Sequence, residues 1–353
     1  MPLSIVILAA GQGTRMKSAR PKVLHELAGK PLLQHVVDVG RALEPEQLIV
    51  VVGHGAERVQ ESMQGQDLIF VEQHEQLGTG HALAQCLGQV TAGNEVLVLY
   101  GDVPLIHAAT LSQMIEQGQD AAVCILSFKP GNPFGYGRIV RQADLSVRAI
   151  VEHKDASAEQ LRIDECYSGI MLIRGDRLQS LVSAIDSNNA QGEYYLTDVV
   201  DIAVANGDVV SAVLCNDPNE VTGINDQRQL ATVEAIYRSH QAELLMSQGV
   251  KLYDPARIDI RGEVTVGRDV EIDINCVFEG TVLIGDNVRI GANCVIRNTS
   301  IGDGSEIYPA TSIDDAVIGR QVSIGPFARI RPGAEFEDKA KIGNFVEVKK
   351  SRI

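Results

Sequence analysis

The sequence predicts two architectures in tandem: an α/β domain on a mainly parallel sheet, then a parallel β-helix of hexapeptide repeats. Over residues 1–225 short β-rich runs alternate with helical patterns, and from about residue 250 the large aliphatic residues recur every six positions. The length of 353 residues also exceeds what one hydrophobic core usually supports, so two domains are expected.

In the first part, residues 5–8, 48–52, 68–71, 96–100 and 121–126 read as strands, with helices over 31–43 and 79–87. Continuous apolar strands separated by helices indicate a sheet buried on both faces. In such sheets ligands sit beyond the carboxyl ends of the strands, so motifs at strand ends count most. Residues 226–249 read as a linker helix. Leu230, Val233, Ile236, Tyr237, Leu244 and Leu245 keep helical spacing, and Gly249 is placed to end it.

In residues 250–353, Ile260, Val266, Ile272, Phe278, Ile284, Ile290 and Ile296 stand six apart. One step of five leads to Ile301, Ile307 and Ile313; another leads to Ile318, Ile324, Ile330, Phe336, Ile342 and Val348. A second, mostly smaller column runs two positions earlier, from Val264 to Val346, which suits the inside of a β-helix. Glycines follow the aliphatic residue at 267, 285, 291, 302, 319, 325 and 343, read as turns needing a permissive backbone.

Composition excludes several functions. The chain carries 31 basic and 46 acidic groups, a net charge of −15, which argues against a general nucleic-acid binder. No Trp and 4% aromatics weaken any base-stacking platform. No run reaches the roughly 18 apolar residues of a membrane span, so membrane insertion is not expected. Six cysteines without a CxxC pair fit a reducing, cytoplasmic location.

The chemistry begins at Leu8-Ala9-Ala10-Gly11-Gln12-Gly13-Thr14-Arg15-Met16, where the first strand ends. Arg15, Lys17, Arg20 and Lys22 follow with no acid between 11 and 22, a local reversal of the overall charge. Glycines let backbone amides approach phosphate oxygens, and the cations neutralise a polyphosphate. Met16 stands where a dinucleotide fingerprint has its third glycine, and no P-loop motif is present, so NAD binding and P-loop hydrolysis are disfavoured.

Leu8 to Met16 with Pro21-Lys22 resembles the signature of the sugar-1-phosphate nucleotidyltransferases. Gln73, Gln76 to His81, Tyr100-Gly101-Asp102, Gly135 to Ile139, Glu152-His153-Lys154 and Gln191 to Asp198 follow in that family's order. Joined to hexapeptide repeats, the chain resembles bacterial bifunctional N-acetylglucosamine-1-phosphate uridylyltransferase/glucosamine-1-phosphate acetyltransferases. The resemblance implies a Rossmann-like nucleotidyltransferase domain, and a left-handed parallel β-helix with three hexapeptides per coil. On that geometry Cys276 and Cys294 stack one coil apart, within disulfide reach but more simply two small thiols.

The resemblance also implies roles. Leu8, Ala9, Ala10 and Gly11 contact the nucleotide through the backbone, and Arg15 and Lys22 are the catalytic cations on its phosphates. Gln73 and Gln76 read uracil, an amide offering both donor and acceptor. Gly78 lets the base approach, and Thr79 also caps the next helix. Tyr100 and Gly101 belong to the substrate-binding set, and Asp102 and Asn225 hold Mg2+. On the residues alone, Asp102 equally suits a turn cap and Asn225 a helix cap. Gly137 and Glu152 bond the sugar. Tyr167-Ser168 stands where the family usually has Asn-Thr, and Tyr167 lacks the paired donor and acceptor of an amide.

The implied reaction is direct attack by the sugar-phosphate oxygen on the α-phosphorus of UTP. It gives UDP-N-acetylglucosamine for cell-wall and lipopolysaccharide precursors. The nucleophile is already an anion, so none of the eight histidines is assigned a catalytic role. All eight lie at or before His240, whereas the family's acetyl transfer from acetyl-CoA uses a histidine base. Arg331 and Lys349 match that reaction's sugar-phosphate contacts and make half a site, so a fragment without acetyltransferase activity is expected. A homotrimer is also expected. The alternatives are the same chemistry on another sugar-1-phosphate such as glucose-1-phosphate, or a non-catalytic nucleotide-binding regulatory subunit.

Overall fold

The computed structural model describes residues 2–353. Two compact units emerge: one holds the chain up to His25 with Pro31–Leu230, the other Glu26–Lys30 with Ala231–Ile353. The division falls inside the long helix Gln227–Ser247.

The main sheet of the first unit runs Val210–Leu214, Val123–Phe128, Cys166–Ile173, Glu95–Tyr100, Leu3–Leu8, Gln47–Val52, Ile69–Glu72. Leu3–Leu8 is parallel to both neighbours, Val6 facing Ile49 on one side and Val98 on the other. Alternation along each strand feeds two cores. Ile5, Ile7, Val50 and Val52 pack on one face; Val6, Leu8, Ile49 and Val51 pack on the other. After Leu3–Leu8 the chain builds outward to Ile69–Glu72, then returns to the opposite side at Glu95–Tyr100. That reversal is a topological switch point, and Leu8 and Tyr100 stand side by side at its carboxyl edge.

Four strands of this sheet were not foreseen, Arg138–Arg141, Val147–Val151, Cys166–Ile173 and Val210–Leu214, and one of them is central. Cys166–Ile173 runs antiparallel to both neighbours and carries a register shift between Tyr167 and Met171. Gly169 within it, at φ 98°, interrupts the kind of apolar run that identified the foreseen strands.

In the second unit the strand ladders give the repeat directly. Cys276–Ile284 pairs with Ile258–Val266 at an offset of 18, Ile258 facing Cys276. Ile284 pairs with Ile301, Ile296 with Ile313 and Ile313 with Ile330, each 17 apart, because each span contains one five-residue step. Ile318 pairs with Phe336, and the offset returns to 18. Three hexapeptides therefore make one coil of a parallel β-helix, and its aliphatic columns fill the interior. The glycines after the aliphatic residues do not take the left-handed backbone of the turns, except Gly325 at φ 98°. Positive φ falls instead on residues such as Asp269, Asn275, Asn287, Asn293 and Gln321. All but Gly343 and Gly325 answer to stacking: a Cβ on Gly302 would lie 2.6 Å from the Gly319 carbonyl, and one on Gly285 2.9 Å from Asp303 N.

At the helix end, Gly249 lies at φ 93°; its N–H donates to Met246 and that of Val250 to Leu245, a Schellman motif. Leu244 is 61% exposed, and Ala242 takes the buried position expected of it, beside Leu245. Cys276 and Cys294 are free thiols. Among the described residues no helix is long and apolar enough to cross a membrane.

Candidate active site

Beyond Leu8 the chain enters the 310 turn Thr14–Met16, between Gly13 at φ 62° and Lys17 at φ 50°. Met16, 2% exposed, anchors this turn in the core, which accounts for an apolar residue where a dinucleotide loop needs glycine. A Cβ on Gly13 would lie 2.7 Å from Lys22 Cβ. The glycine therefore admits the Lys22 stem, which emerges from the 310 turn Lys22–Leu24.

Four predicted side chains converge. Lys22 Nζ is ion-paired with Asp102 Oδ2, both side chains largely buried, and also donates to Asn225 Oδ1 at 3.3 Å. Arg15 Nη2 donates to the same Asn225 oxygen at 2.8 Å. The N–H of Ile224 donates to the Asp102 carbonyl at 2.9 Å, tying the two segments together. Asn225 does not cap the helix: the Asp226 carboxylate accepts from Arg228 N and Gln229 N instead. Two oxygens already meeting on ammonium and guanidinium groups form a donor set that suits a hard cation. Among the described residues no group of three or more His, Cys, Asp or Glu gathers as metal ligands.

Around this cluster lies a cleft of about 360 Å³, lined by Leu8, Ala9, Ala10, Gly11, Gln73, Gln76, Gly78 and Thr79 with Lys22, Tyr100, Asp102 and Asn225. A second hollow of about 300 Å³ shares Thr79, Tyr100, Asp102 and Glu193 with the first and adds Gly137, Glu152 and Tyr167. Sequence reasoning assigned no role to Glu193, which lines both halves, although the motif containing it was noted. Arg15 and Gly101 line neither; Gly101 faces Val23, Leu33 and Ala9. Arg331 and Lys349 belong to the second unit, where Arg331 pairs with Glu347 at 3.2 Å.

One expected detail is corrected, and Gly78 gains a second reason to be glycine. Thr79 is the first residue of the helix Thr79–Ala84 rather than its cap, and its hydroxyl accepts from Leu196 N at 3.1 Å. Gly78, at φ 120°, makes room for protein: a Cβ there would lie 2.5 Å from the Tyr194 carbonyl.

In the second hollow, Thr197 donates to Glu152 Oε1 at 3.2 Å, and Tyr167 donates to the Gly169 carbonyl at 2.6 Å. Burial raises the Glu152 carboxyl against that hydrogen bond, with Asp155 and Glu193 adding to it. Burial also raises the Tyr167 phenol, followed by Tyr100 and Glu152. Nearby, burial lifts Asp198 to about 6, helped by Asp201, Asp186, Glu152 and Asp155. The folded state thus holds this proton more tightly than the unfolded chain, and stability drains away as pH rises from about 4 to about 6. Asp198→Asn is expected to raise the melting temperature at pH 7.5 and to leave it unchanged below pH about 4 in thermal scans. An equal gain at both pH values would contradict this origin.

A Rossmann-like sheet whose switch point gathers a glycine turn, two cations and a strand-end carboxylate defines a nucleotidyltransferase enzyme. The family model for the MobA-like NTP transferase domain matches residues 5–162, and that for the GMPPB C-terminal domain matches residues 260–353. The chain is 52% identical over 351 residues to the bifunctional protein GlmU of Burkholderia orbicola, covering 99% of this chain and 78% of that protein. It is 52% identical over all 353 residues to the protein of that name from Pseudomonas entomophila, covering 77% of it. Against that of Chromobacterium violaceum it is 51% identical over 351 residues, covering 99% of this chain and 77% of the relative. The chain belongs to the bifunctional GlmU family.

Proposed function

We propose that the first unit transfers a uridylyl group from UTP to N-acetylglucosamine-1-phosphate, giving UDP-N-acetylglucosamine and pyrophosphate. The observation that carries this reading is the paired cleft. One half bears Lys22, the two glutamines and the Asn225 that Arg15 bonds, the other bears Glu152, and Asp102 is common to both. A base and triphosphate suit the first, a sugar hydroxyl the second.

Asp102 and Asn225 would hold Mg2+, which when bound neutralises charge on the phosphates. Lys22 and Arg15, released from those two oxygens, turn to phosphate oxygens. Gln73 and Gln76 orient the base, and Glu152 accepts from the sugar. A phosphate oxygen of the sugar phosphate forms its bond to the α-phosphorus as the bond to the departing pyrophosphate breaks. The incoming oxygen is already anionic, so positioning and charge neutralisation supply the catalysis.

Tyr167 favours a second reading, the same reaction on glucose-1-phosphate: its hydroxyl proton is committed to Gly169, and it offers no amide pair to an acetamido group. A purely regulatory subunit is disfavoured by the convergence of Arg15, Lys22, Asp102 and Asn225. For acetyl transfer, residues 250–353 hold Arg331 and Lys349 but no histidine. The assembly we propose is a homotrimer, which a monomeric mass by light scattering at micromolar concentration would overturn.

Pyrophosphate release over a panel of nucleotides and sugar phosphates tests the reaction. UTP with N-acetylglucosamine-1-phosphate is expected to be fastest, and chelation by EDTA to abolish turnover, restored by Mg2+. Faster turnover of glucose-1-phosphate would select the second reading.

A further inference from the structure

The base half of the cleft contains a hydrogen-bond chain that the reaction does not use. Gln73, 3% exposed, directs its amide nitrogen to the Gly78 carbonyl at 3.1 Å and to His81 Nδ1 at 3.0 Å. On the other side of the ring, His81 Nε2 stands 3.1 Å from the side-chain amide of Gln85. A carbonyl only accepts, so Gly78 fixes which end of the Gln73 amide points inward. Turning that amide would set two oxygens against each other in a buried place.

With Gln73 fixed, His81 Nδ1 must be an acceptor. The ring is then neutral and carries its proton on Nε2. A second consequence is that Gln85 must present its oxygen to that proton. Its nitrogen now faces Nε2, and the His81 carbonyl at 3.3 Å. Gln85 is partly exposed, so turning its amide costs one long contact where water can replace it, whereas Gln73 is buried. Both hydrogens of the Gln73 amide are spent, and what it has left for the cleft is its oxygen. Gln76 differs: its amide nitrogen uses one hydrogen on the Gln73 carbonyl at 2.9 Å and keeps the other.

We propose that His81 is a positioning residue for base selection: its Nε2–H tautomer locks Gln73 so that the amide shows the cleft an acceptor alone. This rests on the uridylyl reading. A pyrimidine with an N–H at ring position 3, as in uracil, satisfies that oxygen. Cytosine puts a lone pair there and leaves two acceptors facing each other.

The test measures kcat and KM for UTP and CTP by pyrophosphate release, using the full chain, His81→Leu and His81→Asn. In His81→Leu the UTP-over-CTP preference is expected to fall about tenfold or more through a raised KM for UTP, with kcat little changed. His81→Asn, whose side-chain oxygen accepts near the position of Nδ1, is expected to keep most of the preference. An unchanged preference in His81→Leu, or an equal loss in both variants, would overturn the proposal. Nitrogen NMR of histidine-labelled wild-type protein at pH 7.5 checks it without a variant: the Nε2–H form is expected, and an Nδ1–H or doubly protonated His81 would sink it. A wild-type chain that uses UTP and CTP equally, or neither, would instead overturn the uridylyl reading itself.

Discussion

Asp102→Ala is expected to slow pyrophosphate release on the order of 10²- to 10³-fold, the loss that follows removal of one preorganised electrostatic group. The carboxylate ends an apolar strand at the switch point, 13% exposed and ion-paired with Lys22. Its removal takes the only carboxylate from the proposed cation site and leaves Lys22 facing the single neutral oxygen of Asn225. Since the side chain is near the surface of the cleft and not in a core, folding should survive. A melting temperature within a few degrees of wild type separates lost chemistry from lost structure. Activity within about threefold of wild type would remove Asp102 from the site.

Lys22→Met should cost on the order of 10²-fold in kcat, for a complementary reason. Met keeps the length of the stem, so packing against Gly13 persists while the ammonium is lost. A cation aimed at charge that grows on the departing pyrophosphate acts on the transition state more than on bound UTP, so kcat should fall further than KM rises. Restoration by Lys22→Arg is expected to be partial, because a planar guanidinium does not fit where one Nζ reaches both Asp102 and Asn225. An effect confined to KM would reassign Lys22 to uniform binding.

Much of this was legible in the sequence because it rests on periodicity or on charge. A six-residue aliphatic spacing has no helical equivalent, and its two five-residue steps even anticipate the 17-residue coils. Met16, by contrast, reads as a missing glycine until its burial shows it to be an anchor. What sequence could not give was the partner across space. Gly78 yields to the Tyr194 backbone more than a hundred residues later, and most of the β-helix glycines yield to the coil stacked on them. The antiparallel Cys166–Ile173 strand stayed hidden because Gly169 breaks its apolar run. The direction of the Gln73 amide depends on Gly78 and on a histidine proton, neither of which leaves a trace in spacing.

The two short steps have a geometric outcome. Both fall at the same corner, at Asn298 and Asp315 on consecutive coils, while Gly280 and Gly333 hold that corner at full length on either side. Two adjacent rings pulled in by one residue leave a notch of about 420 Å³, with Leu283 and Val317 on its wall. The relief of such a column is thus carved by omitted residues, and restoring one after each of Asn298 and Asp315 would smooth the notch without disturbing the rungs.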